Sequence, residues 1–160
     1  MCGIVGYVGD KLASNVVVNG LKRLEYRGYD SAGISTFEDD TLLTTKCKGK
    51  ILDLESKLDK HNHVGNVGIG HTRWATHGEP NLLNAHPHHD ISDKFSLIHN
   101  GIIENHNAIK IYLEKKGIKF SSETDTEVLV QFIGYLYQKE KLSFFDTVKL
   151  ALKEVVGAYG

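Results

Sequence analysis

Cysteine is scarce. The chain has two, Cys2 and Cys47, too few for the disulfide framework of a small secreted domain. A reducing, cytoplasmic setting is the expectation, and it would keep a thiol usable. Proline occurs twice, and both residues fall within 72–90; there is no linker, internal repeat or low-complexity tract. No apolar run approaches the ~20 residues that a membrane span needs. The chain does not open on a basic stretch and a long apolar core, so no secretory leader is expected. An excess of one charge is also missing. Lys and Arg total 19 against 20 Asp and Glu, for a net charge of −1, and the basic residues are scattered. That pattern argues against nucleic acid or an anionic membrane as partner. What remains is an ordinary soluble composition, 41% hydrophobic and 24% charged over 160 residues, enough for one domain with a sizeable core.

Periodicity sketches the elements. Gly3 to Val8 reads as a buried strand. Lys11 to Arg23 reads as a helix with Leu12, Val16, Asn19 and Arg23 at helical spacing and Val17, Leu21 and Leu24 close to that face. Gly20 weakens it by about 1 kcal/mol against alanine. A polar connector with a turn glycine, 25–31, leads to a hairpin of Ala32 to Phe37 and Thr41 to Lys48. Ile51 to Leu58 is a short amphipathic helix, and Val67 to His71 a further strand. Residues 72–90 show no period, yet hold Trp74, both prolines and four histidines; a loop of that length in a compact domain is usually functional. Phe95 to His99 is a strand entering Asn100-Gly101. Asn105 to Lys116 is a helix stopped by Gly117. Thr124 to Glu127 reads as a capping box opening a helix to about Lys139, with Val128, Phe132, Ile133 and Leu136 inward. A last helix spans about Phe144 to Val156, and a new strand is expected at Ala158-Tyr159-Gly160. Elements in blocks predict an α+β fold with largely antiparallel sheets.

The chemistry starts at Met1-Cys2-Gly3. Cys2 is small, so an aminopeptidase is expected to remove Met1. The exposed α-amine then has an ordinary pKa of roughly 7.7–8.0, beside a thiol near 8.5. One residue then holds both a nucleophile and its general base. The plainer reading is a small buried residue opening a strand. Asn100-Gly101 offers an amide and an unobstructed N–H to a developing oxyanion, or it is an Asn-Gly turn. Arg73 can grip a carboxylate through two hydrogen bonds, with Thr76 and His77 as neighbouring donors, or it is a surface arginine on Trp74. Asp125 can hold an ammonium group, or it only complements a helix dipole. Together Arg73 and Asp125 would read both charges of an α-amino acid. The nine histidines, densest at Asn84 to His89, have no zinc-binding spacing. They read better as loop anchors, and no metal or cofactor is expected. Cys47 reads as a strand residue without chemistry.

Several long motifs recur in order: Cys2 to Gly6, Tyr26 to Gly33, His71 to Gly78, Asn84 to His88, His99 to Asn105 and Ser122 to Glu127. On these the chain resembles the class II, or N-terminal-nucleophile, glutamine amidotransferases. Within them it is most similar to the glutaminase domain of the glutamine–fructose-6-phosphate aminotransferases. The resemblance implies a four-layer αββα sandwich, cut short at the C-terminus, with the sugar isomerase domains absent. It implies that Cys2 attacks the side-chain amide of glutamine and that Asn100 and Gly101 hold the oxyanion. Arg73 and Asp125 would bind the glutamine carboxylate and ammonium. Trp74, Thr76, His77 and His86 would belong to a closing loop, and Arg27 and Gly28 would orient the N-terminal residue. Fructose 6-phosphate would be met only by the absent domains, in a homo-oligomer of the full-length enzyme. The alternatives are another class II amidotransferase or a non-catalytic glutamine-binding fragment.

Overall fold

The computed structural model describes residues 2–74 and 79–160. They fall into two units, one up to Pro87 and one from His88 onward, each with its own apolar cluster.

In the first unit, β1 (Gly3–Val8), β2 (Ser31–Glu38), β3 (Thr41–Lys48) and β4 (Val67–Arg73) form one antiparallel sheet in the order β1-β4-β2-β3. The β2–β3 hairpin turns at Asp39 and Asp40, both with positive φ, a conformation that short acidic side chains tolerate. β1 departs from the expected buried strand. It is an edge strand, and Val8 is 79% exposed. Two helices, α1 (Ala13–Lys22) and α2 (Ile51–Leu58), pack on this sheet. Their cluster joins Val17, Val18 and Leu21 to Ala32, Ile34, Cys47, Ile51 and Leu54.

The face of α1 also differs from expectation. Ala13, Ser14, Val17, Val18 and Leu21 are buried, whereas Leu12 is exposed. Three consecutive valines leave the apolar stripe ambiguous by one position. Gly20 has a packing reason, because a Cβ there would meet Val5 Cγ1 at 2.8 Å.

The second unit pairs β5 (His88–His89) with β6 (Ser96–Leu97), and β7 (Gly101–Ile103) with β8 (Gly157–Tyr159), both antiparallel. Its helices are α3 (His106–Glu114), α4 (Asp125–Glu140) and α5 (Phe144–Glu154). α4 carries the core. Val128, Leu129, Phe132, Ile133 and Leu136 meet Ile103, Ile109, Leu113, Ala151 and Val155.

Only half of the expected capping box forms. Thr124 Oγ1 accepts the Glu127 N–H at 3.1 Å, but the Glu127 carboxylate does not return to Thr124. It accepts the backbone N–H groups of Ser121 and Ser122 at 2.9 and 2.6 Å, and both serine hydroxyls. The Thr124 N–H turns to Ser122 Oγ instead. Among the described residues, no helix is long and apolar enough to cross a membrane.

Candidate active site

The pairing of β1 with β4 sets Gly3 opposite Thr72 and brings Cys2 beside Trp74. The Trp74 N–H donates to Cys2 Sγ at 3.2 Å, and the thiol reaches the Trp74 carbonyl at 3.7 Å. Arg27, at the end of a 3-10 turn over Glu25–Arg27, donates through Nη1 to the Cys2 carbonyl at 3.5 Å. Gly28 follows with φ of 73°, in the region that favours glycine. A Cβ there would lie 2.8 Å from the Trp74 ring. Gly28 therefore allows both the turn and the seat of the indole. Cys2, Arg27, Gly28 and Trp74 thus form one contiguous corner.

Arg73 ends β4 and is only 5% exposed, not the surface arginine of the plainer reading. Its Nη1 donates to the Glu79 carbonyl at 3.3 Å and lies 4.0 Å from Asp30 Oδ1. Asp30 is fixed in turn, its N–H donating to the Arg73 carbonyl at 2.8 Å and its own carbonyl accepting from Gly49. This counter-charge was not singled out in the sequence. Its location within Tyr26 to Gly33 was the only signal. His86 is buried and stacks on His71, with ring centroids 4.2 Å apart. The preceding loop is tied down by Asn84 Nδ2 donating to the Glu79 carbonyl and Lys46 Nζ to the Ala85 carbonyl. Thr76 and His77 lie outside the described residues.

Asn100, Gly101 and Asp125 belong to the second unit. Asn100-Gly101 is not a hairpin turn. Asn100 exchanges both backbone hydrogen bonds with Gly160, at 2.8 and 2.9 Å, and Gly101 opens β7 with φ of 138°. Antiparallel pairing alternates, so the N–H groups of Gly101 and Ile103 point away from β8. On that side, Ile103 N–H donates to Asp125 Oδ2 at 2.9 Å. The Gly101 N–H and the Ile103 N–H that holds Asp125 therefore share one edge of β7, two residues or about 7 Å apart along the strand. Asp125 does more than complement a helix dipole. Its Oδ1 is also 3.9 Å from His99 Nδ1, which lies 3.0 Å from Thr126 Oγ1. Burial pushes the His99 imidazole below its ordinary pKa, against the opposing pull of Asp125.

Among the described residues, no group of three or more His, Cys, Asp or Glu is arranged to hold a metal. Several of the placed histidines serve as anchors. His63 bridges Thr36 and Thr45, and His88 meets Thr124. Cys47 is buried in β3, and burial raises its pKa, which keeps it a thiol.

The fold is that of the N-terminal-nucleophile amidotransferases, and it seats Cys2 against the end of β4. The chain belongs to the glutamine amidotransferase domain family, whose profile matches residues 57–140, just over half of it. Among curated proteins it is similar to Glutamine--fructose-6-phosphate aminotransferase [isomerizing] of Clostridium acetobutylicum, at 52% identity over 159 residues. It is 54% identical over 160 residues to the protein of the same name from Bacteroides thetaiotaomicron. Each match covers 99% of this chain and 26% of the relative, so the chain spans about a quarter of their length. Among solved structures it is similar to glutamine phosphoribosylpyrophosphate (PRPP) amidotransferase from B. subtilis. The TM-score is 0.83 at 28% identity, covering 99% of this chain and 34% of that one.

Proposed function

We propose that this chain hydrolyses glutamine to glutamate and ammonia through a thioester on Cys2, once Met1 has been removed. The Cys2 sulfur forms a bond to the side-chain amide carbon. Its thiol proton passes to the Cys2 α-amine, directly or through a water. The oxyanion is held by the Asn100 side-chain amide and the Gly101 N–H; loss of one such donor typically costs about 10²–10³ in rate. When the carbon–nitrogen bond breaks, the α-ammonium returns the proton and ammonia leaves. Water then cleaves the thioester, releasing glutamate and regenerating the thiol. Arg73 binds the glutamine carboxylate and Asp125 its ammonium. Trp74, Thr76, His77 and His86 contribute to the glutamine-binding site.

The observation that carries this reading is the seat of Cys2. Its sulfur receives the Trp74 N–H, and its carbonyl receives Arg27. A small residue merely opening a strand needs neither contact. The names of the curated relatives support a further step. In the full-length protein, acting in the cytoplasm as a homo-oligomer, the ammonia aminates fructose 6-phosphate to glucosamine 6-phosphate in domains beyond this stretch. The test is glutamate release from glutamine by Met-processed protein beside Cys2→Ala. Release that requires Cys2 is expected; glutamine binding without release by the wild type would favour a non-catalytic glutamine-binding role.

A further inference from the structure

We propose that Thr72 is a positioning residue for the nucleophile, its hydroxyl fixing the peptide that joins Cys2 to Gly3. The inference rests on the hydrolytic reading above. Thr72 lies in β4 directly opposite Gly3 and is 1% exposed. Its Oγ1 accepts the Gly3 N–H at 3.0 Å. The carbonyl of the same peptide accepts from Arg27 Nη1 at 3.5 Å. One peptide plane is thus held at both ends, by side chains from two different elements.

The consequence follows from covalent geometry. With Met1 removed, this peptide is the only chain attachment of Cys2. A peptide is rigid, so apart from the side-chain torsion of Cys2, what remains free is rotation about its Cα–C bond and the tilt of the plane itself. Either motion swings the thiol and the α-amine together, away from a bound amide. Backbone pairing does not remove the tilt at the first residue of a strand, because nothing precedes it. The Thr72 hydroxyl does. Gly3 leaves room for it; a Cβ there would stand 2.7 Å from Thr72 Oγ1 and 2.8 Å from Leu24 Cδ1.

The test compares Thr72→Val, which keeps the shape and removes the hydroxyl, with Thr72→Ser, which keeps the hydroxyl. Both are made in the full-length, Met-processed protein. Glutamate release gives kcat and KM, alkylation by iodoacetamide reports on the Cys2 thiol, and a melting curve monitors the fold. Because misplacement of about 1 Å costs on the order of 10²-fold, Thr72→Val is expected to lower kcat about 10–100-fold with KM changed less than about twofold. Thr72→Ser is expected to restore most of the rate, and alkylation is expected to follow the same order. The assignment is overturned if Thr72→Val keeps its kcat, if Thr72→Ser is equally impaired, or if the loss falls on KM. Should Thr72→Val not fold, Thr72→Ala beside Thr72→Ser makes the same comparison. A wild type that releases no glutamate would remove the hydrolytic reading and this inference together. An active wild type, an inactive Cys2→Ala and a fully active Thr72→Val would remove the role of Thr72 alone.

Discussion

A buried arginine needs a reason to be charged out of water, and the Asp30 carboxylate and the Glu79 carbonyl give Arg73 one. A planar fork held this way is not replaced by a lysine. Arg73→Lys is expected to raise KM for glutamine about 10–100-fold, the worth of one charge-assisted hydrogen bond, with a smaller effect on kcat. Steady-state kinetics decides it, and an unchanged KM would remove Arg73 from carboxylate binding. At Gly28, positive φ and the Trp74 ring act together. Gly28→Ala is expected to cost more than about 1 kcal/mol and to shift the emission of Trp74, the chain's single tryptophan. Unchanged fluorescence and stability would mean that the indole is not seated there. At this scale Cys2 and Arg73 stand out in the sequence because each residue type carries its own chemistry, whereas Arg27 and Gly28 stand out only through the family resemblance. Asp30 and Thr72 do not, because an aspartate in a polar connector and a threonine in a strand are commonplace until pairing sets them beside Arg73 and Gly3.

Among the elements, α4 shows what a short motif can and cannot convey. Thr124 and Glu127 marked its start correctly. The spacing did not reveal that Glu127 would serve the loop before the helix, because Ser121 and Ser122 are better placed to donate to it. Glu127 is 4% exposed and accepts four hydrogen bonds from these two serines. Glu127→Gln keeps the shape but loses the charge and one acceptor. It is expected to cost about 2 kcal/mol, within the range for hydrogen bonds to charged groups, read as a lower urea midpoint. A change below a few tenths would show that the serine loop does not depend on the carboxylate. The face of α1 escapes the local pattern for a simple reason. The buried Ala13 and Ser14 carry little hydrophobic signal, and the run Val16-Val17-Val18 fits two neighbouring stripes. β1 looked buried because it is apolar, but strand order, which local pattern does not encode, puts it at an edge.

Taken whole, the molecule carries a buried, neutral-leaning histidine in each unit. His63 is held below its ordinary pKa by burial and by neighbouring His61, and His99 by burial. With folded values below the ordinary 6.5, the unfolded chain binds more protons as acid is added. Their contribution to stability is therefore complete above that value and is lost as pH falls through the folded ones. The urea midpoint is expected to fall between about pH 7.5 and pH 5.5, with a shallower fall in His63→Gln. Equal slopes in the two proteins would exclude His63 as a source. The antiparallel α+β character was legible from elements coming in blocks. The division into two units was not: the two clusters draw on separate stretches, 17–54 and 103–155, but no linker-like composition marks the boundary after Pro87. The proposed hydrolysis runs through a covalent bond between Cys2 and the substrate. Met-processed protein mixed with glutamine, quenched in acid and analysed by peptide mass is expected to carry a glutamyl group on the N-terminal peptide. That adduct should be absent from Cys2→Ala, whose glutamate release falls to background. Glutamate release that persists in Cys2→Ala would contradict the account.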